Sequence, residues 1–320
     1  MKSVIIIFFI FVTAGPVHGQ DIKIKRDTSF TIYSAYTKEK KKRPYIEIAT
    51  VERPPVILFS ADIVYRKIGN RELLLDIFYP EKTHRLKPGI LMIYGGGWRS
   101  GDKSQNHPMA IEMAKRGYVT VSAEYRLSPE ALYPAAVLDL KAAISWMRKH
   151  AKEYGIDTGK IAVLGCSAGG QLAALLGTTN GNSIFADTLN RDSHFNSAAQ
   201  AVVDIDGILA FKHPESAEGV SAAEWLGGTY ETKAAVWEES SALNHVDSNT
   251  VQMLFINSSL PRFHAGRDDM MRKMLALGIY SEEHTIPDTP HPFWFFHPWF
   301  DKVILCTTVF LEKIFNYRGL

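Results

Sequence analysis

The chain has 320 residues, 46% of them hydrophobic and 22% charged, an ordinary globular composition that excludes a disordered or fibrous polymer. Its formal net charge of +2 provides no global field toward nucleic acid or an anionic membrane, so partners have to be read from a local site. The length suffices for one large domain with a substantial buried core.

At the N-terminus, Lys2 precedes an apolar run over residues 4–12 and a softer stretch of small residues ending at Gly19. This pattern reads as a secretory signal peptide over residues 1–19, cleaved near Gly19-Gln20, and predicts export to the periplasm or the extracellular space. The run is too short to span a bilayer, which needs roughly twenty apolar residues, and no cysteine follows it to carry a lipid. Residues 20–61 form an N-terminal extension. Stretches near 29–36 and 45–51 are predicted as strands added to a sheet edge. The charged run Lys38-Glu-Lys-Lys-Lys-Arg43 lies between them as a solvated hairpin tip, with a polyanion-binding patch as the alternative.

From residue 62 onward, strand-like and helix-like segments alternate, the pattern of a mostly parallel twisted sheet sandwiched by helices. Strands are predicted over 62–67 and 72–79 around Gly69-Asn70, then over 88–94 and 118–125, with a helix near 109–116 between the last two. A helix starts at Pro134, with Val137, Leu140, Ile144 and Met147 on one face. After the apolar run at 160–164 and a helix from Gln171, strands follow at 201–209, 251–256 and 280–286, and helices at 267–277 and 302–315. The polar region 212–248, with Trp225 and Trp237 and no strand periodicity, is predicted to be a lid inserted into a catalytic domain spanning 62–320. Cys166 and Cys306 are the two cysteines, and both are read as buried small hydrophobes rather than a disulfide.

Gly165-Cys166-Ser167-Ala168-Gly169 stands between a predicted strand and a predicted helix. That layout is a nucleophile elbow: a sharp turn pushes a serine out of the backbone, and small residues two positions either side let the chain fold tightly around it. Serine attack on a carbonyl also needs fixed donors for the oxygen that becomes negative. Tyr94-Gly95-Gly96-Gly97-Trp98, at the end of an earlier strand, can turn its amides inward. Gly96, Gly97 and Ala168 are therefore the predicted oxyanion hole.

Together with Glu124-Tyr-Arg-Leu-Ser-Pro-Glu130 and Pro287-Asp-Thr-Pro-His-Pro-Phe293, these motifs make the chain resemble an α/β-hydrolase of the esterase/lipase superfamily. The resemblance covers roughly residues 60–316 and lies close to BD-FAE-like carbohydrate esterases related to acetyl-xylan and pectin esterases. It implies a base in the loop after the last strand, where His291 stands, with His297 less well placed beyond the aromatic run that begins at Phe293. A near-neutral histidine can take the serine proton and return it to the leaving alkoxide.

The third member departs from the family pattern. Most relatives carry the acid after the seventh strand in a segment resembling His-Gly-x-x-Asp, but here that segment is Asn257-Ser-Ser-Leu-Pro-Arg262, without a carboxylate. Asp206, at the end of the preceding strand, is the first choice and Asp268 the second, with Asp288 too near His291 in sequence. Arg262, His264 and Arg267 cluster in the acid-free loop and, with Trp98, are assigned to substrate binding. Arginine recognises carboxylates in a two-pronged fashion; pairing of these arginines with Asp268, Asp269 or a helix cap is the alternative.

The resulting expectation is an exported serine carboxylic-ester hydrolase that removes methyl or acetyl esters from plant cell-wall saccharides. Pectin leads and acetylated xylan is next, and no metal, organic cofactor, nucleic acid or membrane span is implied. A serine peptidase of the same fold and an inactive saccharide-binding module are the alternatives.

Overall fold

The computed structural model describes residues 27–81, 85–185 and 195–317, so the signal segment read at 1–19 lies outside the described residues. In chain order the elements are α1 (Ile32–Lys40), β1 (Glu47–Ile48), β2 (Ile57–Ile68), β3 (Arg71–Pro80), β4 (Lys87–Ile93), α2 (His107–Lys115), β5 (Val119–Ala123), α3 (Ala135–Lys149) and α4 (Ala151–Tyr154). They continue with β6 (Ile156–Cys166), α5 (Ala168–Thr178), β7 (Ala201–Ile205), α6 (Val220–Leu226), α7 (Tyr230–Glu239), β8 (Gln252–Asn257), α8 (Arg267–Ala276), β9 (Ser281–Thr285), β10 (Phe296–His297) and α9 (Phe300–Phe315).

Eight strands form one sheet in the order β2-β3-β5-β4-β6-β7-β8-β9. It is antiparallel at β2-β3 and β3-β5 and parallel from β5-β4 onward. β4, β5 and β7 are buried at every position, which is why they read as mostly apolar runs: both faces of a parallel sheet are covered by helices. One core layer packs α3, α5 and α8 against the sheet, and the other packs α2 and α9. Cys166 and Cys306 are free and buried in the second layer.

Three expectations about the N-terminal extension need correction. Residues 32–40 form a helix, not a strand, because Thr31 and Ser34 close a reciprocal capping box at 2.9 Å each way. Ile32, Ala35 and Tyr36 then fall on one face against the core. The charged run at 38–43 is the end of this helix and the turn after it, not a hairpin tip. Lys38 and Lys40 occupy the last turn, where the dipole favours cations, and Arg43 pairs back to Glu39 at 2.8 Å. Finally, β1 does not extend the large sheet but pairs with β10 in a separate two-stranded ribbon. The extension is thereby docked on the C-terminal aromatic run, with Tyr36 against Phe296 and Tyr45 against Trp299. The large sheet itself begins at Ile57, inside the segment read as extension.

The region 212–248 carries α6, α7 and a short 3-10 turn, Ala242–His245. It is pinned to the body by aromatic packing: Trp225 of α6 is fully buried and stacks on Trp98 at 4.9 Å with only 5° between the planes. Phe211 and Trp237 close the same cluster. Truncating Trp225 removes a large ring from a site with little freedom to collapse, so Trp225→Ala is expected to cost about 3–5 kcal/mol, read as a lowered midpoint in urea unfolding.

Candidate active site

Parallel strands point their C-terminal ends to one edge of the sheet, and the site is assembled there from β4, β6, β7 and β9. Ser167 sits between β6 and α5 at φ 56°, ψ −121°, a left-handed strained backbone that projects its hydroxyl away from the sheet. Its amide donates to the Ile205 carbonyl at 2.8 Å, and the Asp206 amide donates to that of Ile256 at 3.0 Å. The elbow and the turn after β7 are thus each anchored on the next strand. The motif's small residues have a definite cause: a Cβ on Gly165 would lie 1.9 Å from the Gly169 carbonyl oxygen, and one on Gly169 would lie 2.2 Å from that of Ile93.

Ser167, His291 and Asp206 form a hydrogen-bonded line. His291 Nε2 is 2.7 Å from Ser167 Oγ, and Nδ1 is 2.8 Å from Asp206 Oδ2. Asp206 is buried and also sits at positive φ, 52°. Its second oxygen, Oδ1, accepts the Ser258 N–H at 2.8 Å. The loop after β8 therefore holds the carboxylate instead of supplying one. Behind this turn, Asp204 accepts the Gly207 N–H at 2.8 Å; burial pushes the Asp204 carboxyl well up, opposed by that bond, with the neighbouring Asp206 adding to the rise. Asp204 is a supporting group that sequence patterning does not single out, because it reads as one more residue of a buried strand.

The other acids are elsewhere. The Asp268 side chain is 65% exposed and pairs with Arg267 at 2.8 Å. Asp288 contributes its carbonyl to Arg43. His297 is 3.4 Å from Asp301 at the surface.

The glycine loop faces the elbow. Gly96 at φ 129° and Gly97 at φ 59° adopt backbone that disfavours a side chain, and a Cβ on Gly96 would lie 2.2 Å from the Ser100 carbonyl oxygen. Among the described residues, no backbone acceptor takes the amides of Gly96, Gly97 or Ala168, which leaves these donors free for an incoming oxygen. The loop is held on its C-terminal side. The Ser128 amide donates to the Trp98 carbonyl at 2.7 Å, and Lys103 reaches the buried Asp76 at 2.7 Å. Burial alone would raise the Asp76 carboxyl, but hydrogen bonds from His107 and Lys103 outweigh it and lower it to about 2. That keeps Asp76 ionised and the loop tethered.

Three of the four residues assigned to substrate binding are placed differently. Trp98 is 6% exposed, and its Nε1 donates to Gln171 Oε1 at 3.0 Å. It is the hub of the aromatic cluster that pins residues 212–248, not an open substrate contact. Arg267 spends its guanidinium on Asp268 and on Asn257 Oδ1 at 3.0 Å, tying α8 to β8. The alternative of internal pairing therefore applies to it. His264 is buried, and burial followed by Arg267 lowers its pKa from the ordinary value, which makes it a poor partner for an anion. Arg262 alone of the four is exposed, and no ion pair engages it among the described residues. Its guanidinium carbon lies 4.3 Å from the Phe263 ring centroid.

Phe263, which sequence reasoning passed over, stacks on the His291 imidazole with centroids 3.5 Å apart and planes 11° apart. The aromatic run is mostly core: Phe293, Trp294, Phe295 and Phe296 are all buried, and Trp294 meets His291 edge-on at 5.2 Å and 88°. Among the described residues, no group of three His, Cys, Asp or Glu is placed to hold a metal, and no helix is long and apolar enough to cross a membrane.

This sheet, with its elbow and facing glycine loop, defines an α/β-hydrolase of the esterase kind. The chain belongs to the BD-FAE family, whose model matches residues 75–261, more than half of its length. Esterase LipC of Mycobacterium tuberculosis is 31% identical over 194 residues, covering 58% of this chain and 47% of that protein. The chain spans about half or less of the length of the curated esterases it matches. Among solved structures, an esterase of the Planctomycetes species Thermogutta terrifontis is similar at a TM-score of 0.67 and 26% identity, over 81% of this chain and 93% of that one. A truncated carbohydrate esterase from gut microbiota shares the fold at a TM-score of 0.68 and 23% identity, over 83% of this chain and all of that one.

Proposed function

We propose that the protein is a serine carboxylic-ester hydrolase. The observation that carries this reading is the Asp206–His291–Ser167 line facing the unengaged amides of Gly96, Gly97 and Ala168. Ser167 Oγ attacks the acyl carbon while His291 Nε2 takes its proton, and the carbonyl oxygen, now negative, accepts hydrogen bonds from the three amides. Asp206 keeps Nδ1 protonated and aimed, so Nε2 is free to act as base. Collapse of the tetrahedral intermediate breaks the ester C–O bond, and His291 returns the proton to the leaving alkoxide. Water, deprotonated by the same nitrogen, then hydrolyses the acyl-serine. Burial, reinforced by Asp204 and Asp206, pushes the adjacent Cys166 thiol up, so it stays a neutral packing group.

The substrates proposed are methyl or acetyl esters of plant cell-wall saccharides, pectin first, acted on by an exported enzyme. Arg262 supports the acidic saccharide: it is an exposed guanidinium one residue from the ring stacked on His291, where a galacturonate carboxylate can be met in two-pronged fashion. Incubation with pectin and with acetylated xylan, followed by identification of released methanol or acetate, tests the reading. Methanol or acetate from pectin, lost in Ser167→Ala, is the expected result. Release from xylan alone would overturn the pectin preference, and ester cleavage that survives Ser167→Ala would overturn the mechanism.

A further inference from the structure

We infer that Phe263 is a positioning residue for His291: it fixes the plane of the imidazole so that one ring nitrogen stays on the nucleophile and the other on the acid. The inference rests on the assignment of Ser167 and His291 as nucleophile and base.

The two hydrogen bonds of His291 leave from opposite sides of its ring, Nδ1 to Asp206 and Nε2 to Ser167. Both survive a rocking of the ring about the line that joins them, and the terminal torsion of histidine is intrinsically broad. Only contacts on the faces of the ring remove that freedom. Phe263 lies parallel to the imidazole at 3.5 Å, while the buried Trp294 stands perpendicular to it at 5.2 Å. The base is thereby held in plane by its hydrogen bonds and out of plane by the parallel Phe263 ring.

Phe263 is itself held. It closes the 3-10 turn Pro261–Phe263, in which its amide donates to the Leu260 carbonyl at 3.0 Å and the His264 amide donates to that of Pro261 at 3.0 Å. Proline at the start of that turn restricts it further. The ring is half-buried and belongs to neither core layer, so core packing does not account for it. Its ring contacts among the described residues are His291 and the Arg262 guanidinium.

The loop after β8 is free for this role because Asp206 supplies the carboxylate from the end of β7. The contact also favours the reaction selectively. A cation over an aromatic face is attracted by the ring quadrupole, so the stack strengthens when the imidazole takes up the serine proton, and weakens again when the proton leaves.

The test uses the full chain and two probes: turnover of p-nitrophenyl acetate, and the rate at which diisopropyl fluorophosphate labels Ser167, followed by intact mass. Phe263→Ala is expected to lower kcat and the labelling rate about tenfold or more, with KM within about twofold of wild type. Phe263→Tyr keeps the flat ring and should stay within about twofold of wild type, while Phe263→Leu keeps bulk without the stack and should be as slow as the alanine variant. The Tyr and Leu variants decide the matter even if the alanine variant fails to fold. Equal rates for Tyr and Leu, or an unchanged Phe263→Ala, would overturn the inference. If wild type labels at Ser167 but cleaves no ester, the ester-hydrolase reading fails and the labelling rates of the variants still report on Phe263. A wild type inert to both probes would overturn both readings.

Discussion

Asp206→Asn is expected to lower kcat about 10⁴-fold, while Asp268→Asn stays within about twofold of wild type. The reason lies in which proton His291 carries. Asp206 Oδ2 accepts from Nδ1 at 2.8 Å, whereas an asparagine can present its NH₂ there and hold the ring in the tautomer whose Nε2 is already protonated and cannot act as base. Asparagine tolerates the left-handed backbone at φ 52°, and its oxygen can still accept from the Ser258 amide. The fold should therefore survive, and the loss should be chemical. Steady-state kinetics on p-nitrophenyl acetate, alongside a thermal melt to show an unchanged transition, would check it. Equal losses in the two variants would mean that the acid had been misassigned.

The second large effect is on the fold. Gly165→Ala should destabilise the protein by about 3 kcal/mol or more, because its new methyl carbon meets a backbone oxygen at 1.9 Å and no side-chain rotation can relieve that. Gly169→Ala should do the same against Ile93. Gly219→Ala is the control: its φ of −87° suits any residue and a Cβ there meets nothing within 4 Å, so the change should stay within about 1 kcal/mol. Urea unfolding of the three variants measures the contrast. A Gly165→Ala protein with wild-type stability would show that the elbow can open.

Steric closeness at 165 and 169 lets strand and helix cross, the crossing strains Ser167 outward, and the outward hydroxyl comes within reach of His291. Family membership adds the expectation of esterase chemistry, and Arg262 and Phe263 lie in the loop after β8.

Much of this was legible in the residues because it depends on local order. The alternation of apolar runs and amphipathic helices from residue 62 predicts a parallel sheet, since a strand buried on both faces is nearly continuous in apolar residues. Gly165 to Gly169 reads as an elbow because small residues and a serine at those spacings have few other uses between a strand and a helix. The α1 helix departs from the strand its sequence predicts for a local reason as well: Thr31, Ile32, Tyr33 and Tyr36 are strand-prone residues, and a capping box of two hydrogen bonds outweighs that modest preference.

What sequence left open turned on partners distant along the chain. Two acids competed for His291, and the 85-residue separation of Asp206 from His291 is closed only when β7 and β9 come to the same edge of the sheet. Trp98, His264 and Arg267 looked like substrate ligands because their chemistry suits the role. Burial against Trp225, burial within the loop, and pairing with Asp268 and Asn257 use them internally. Phe263 was invisible for the converse reason: a single phenylalanine in a loop acquires meaning only when a ring from elsewhere lies 3.5 Å from its face. The order of residues determined which chemical groups exist and which elements form. Tertiary packing alone decided which groups meet, because hydrogen bonds and ring contacts act over a few ångströms in space whatever the distance along the chain.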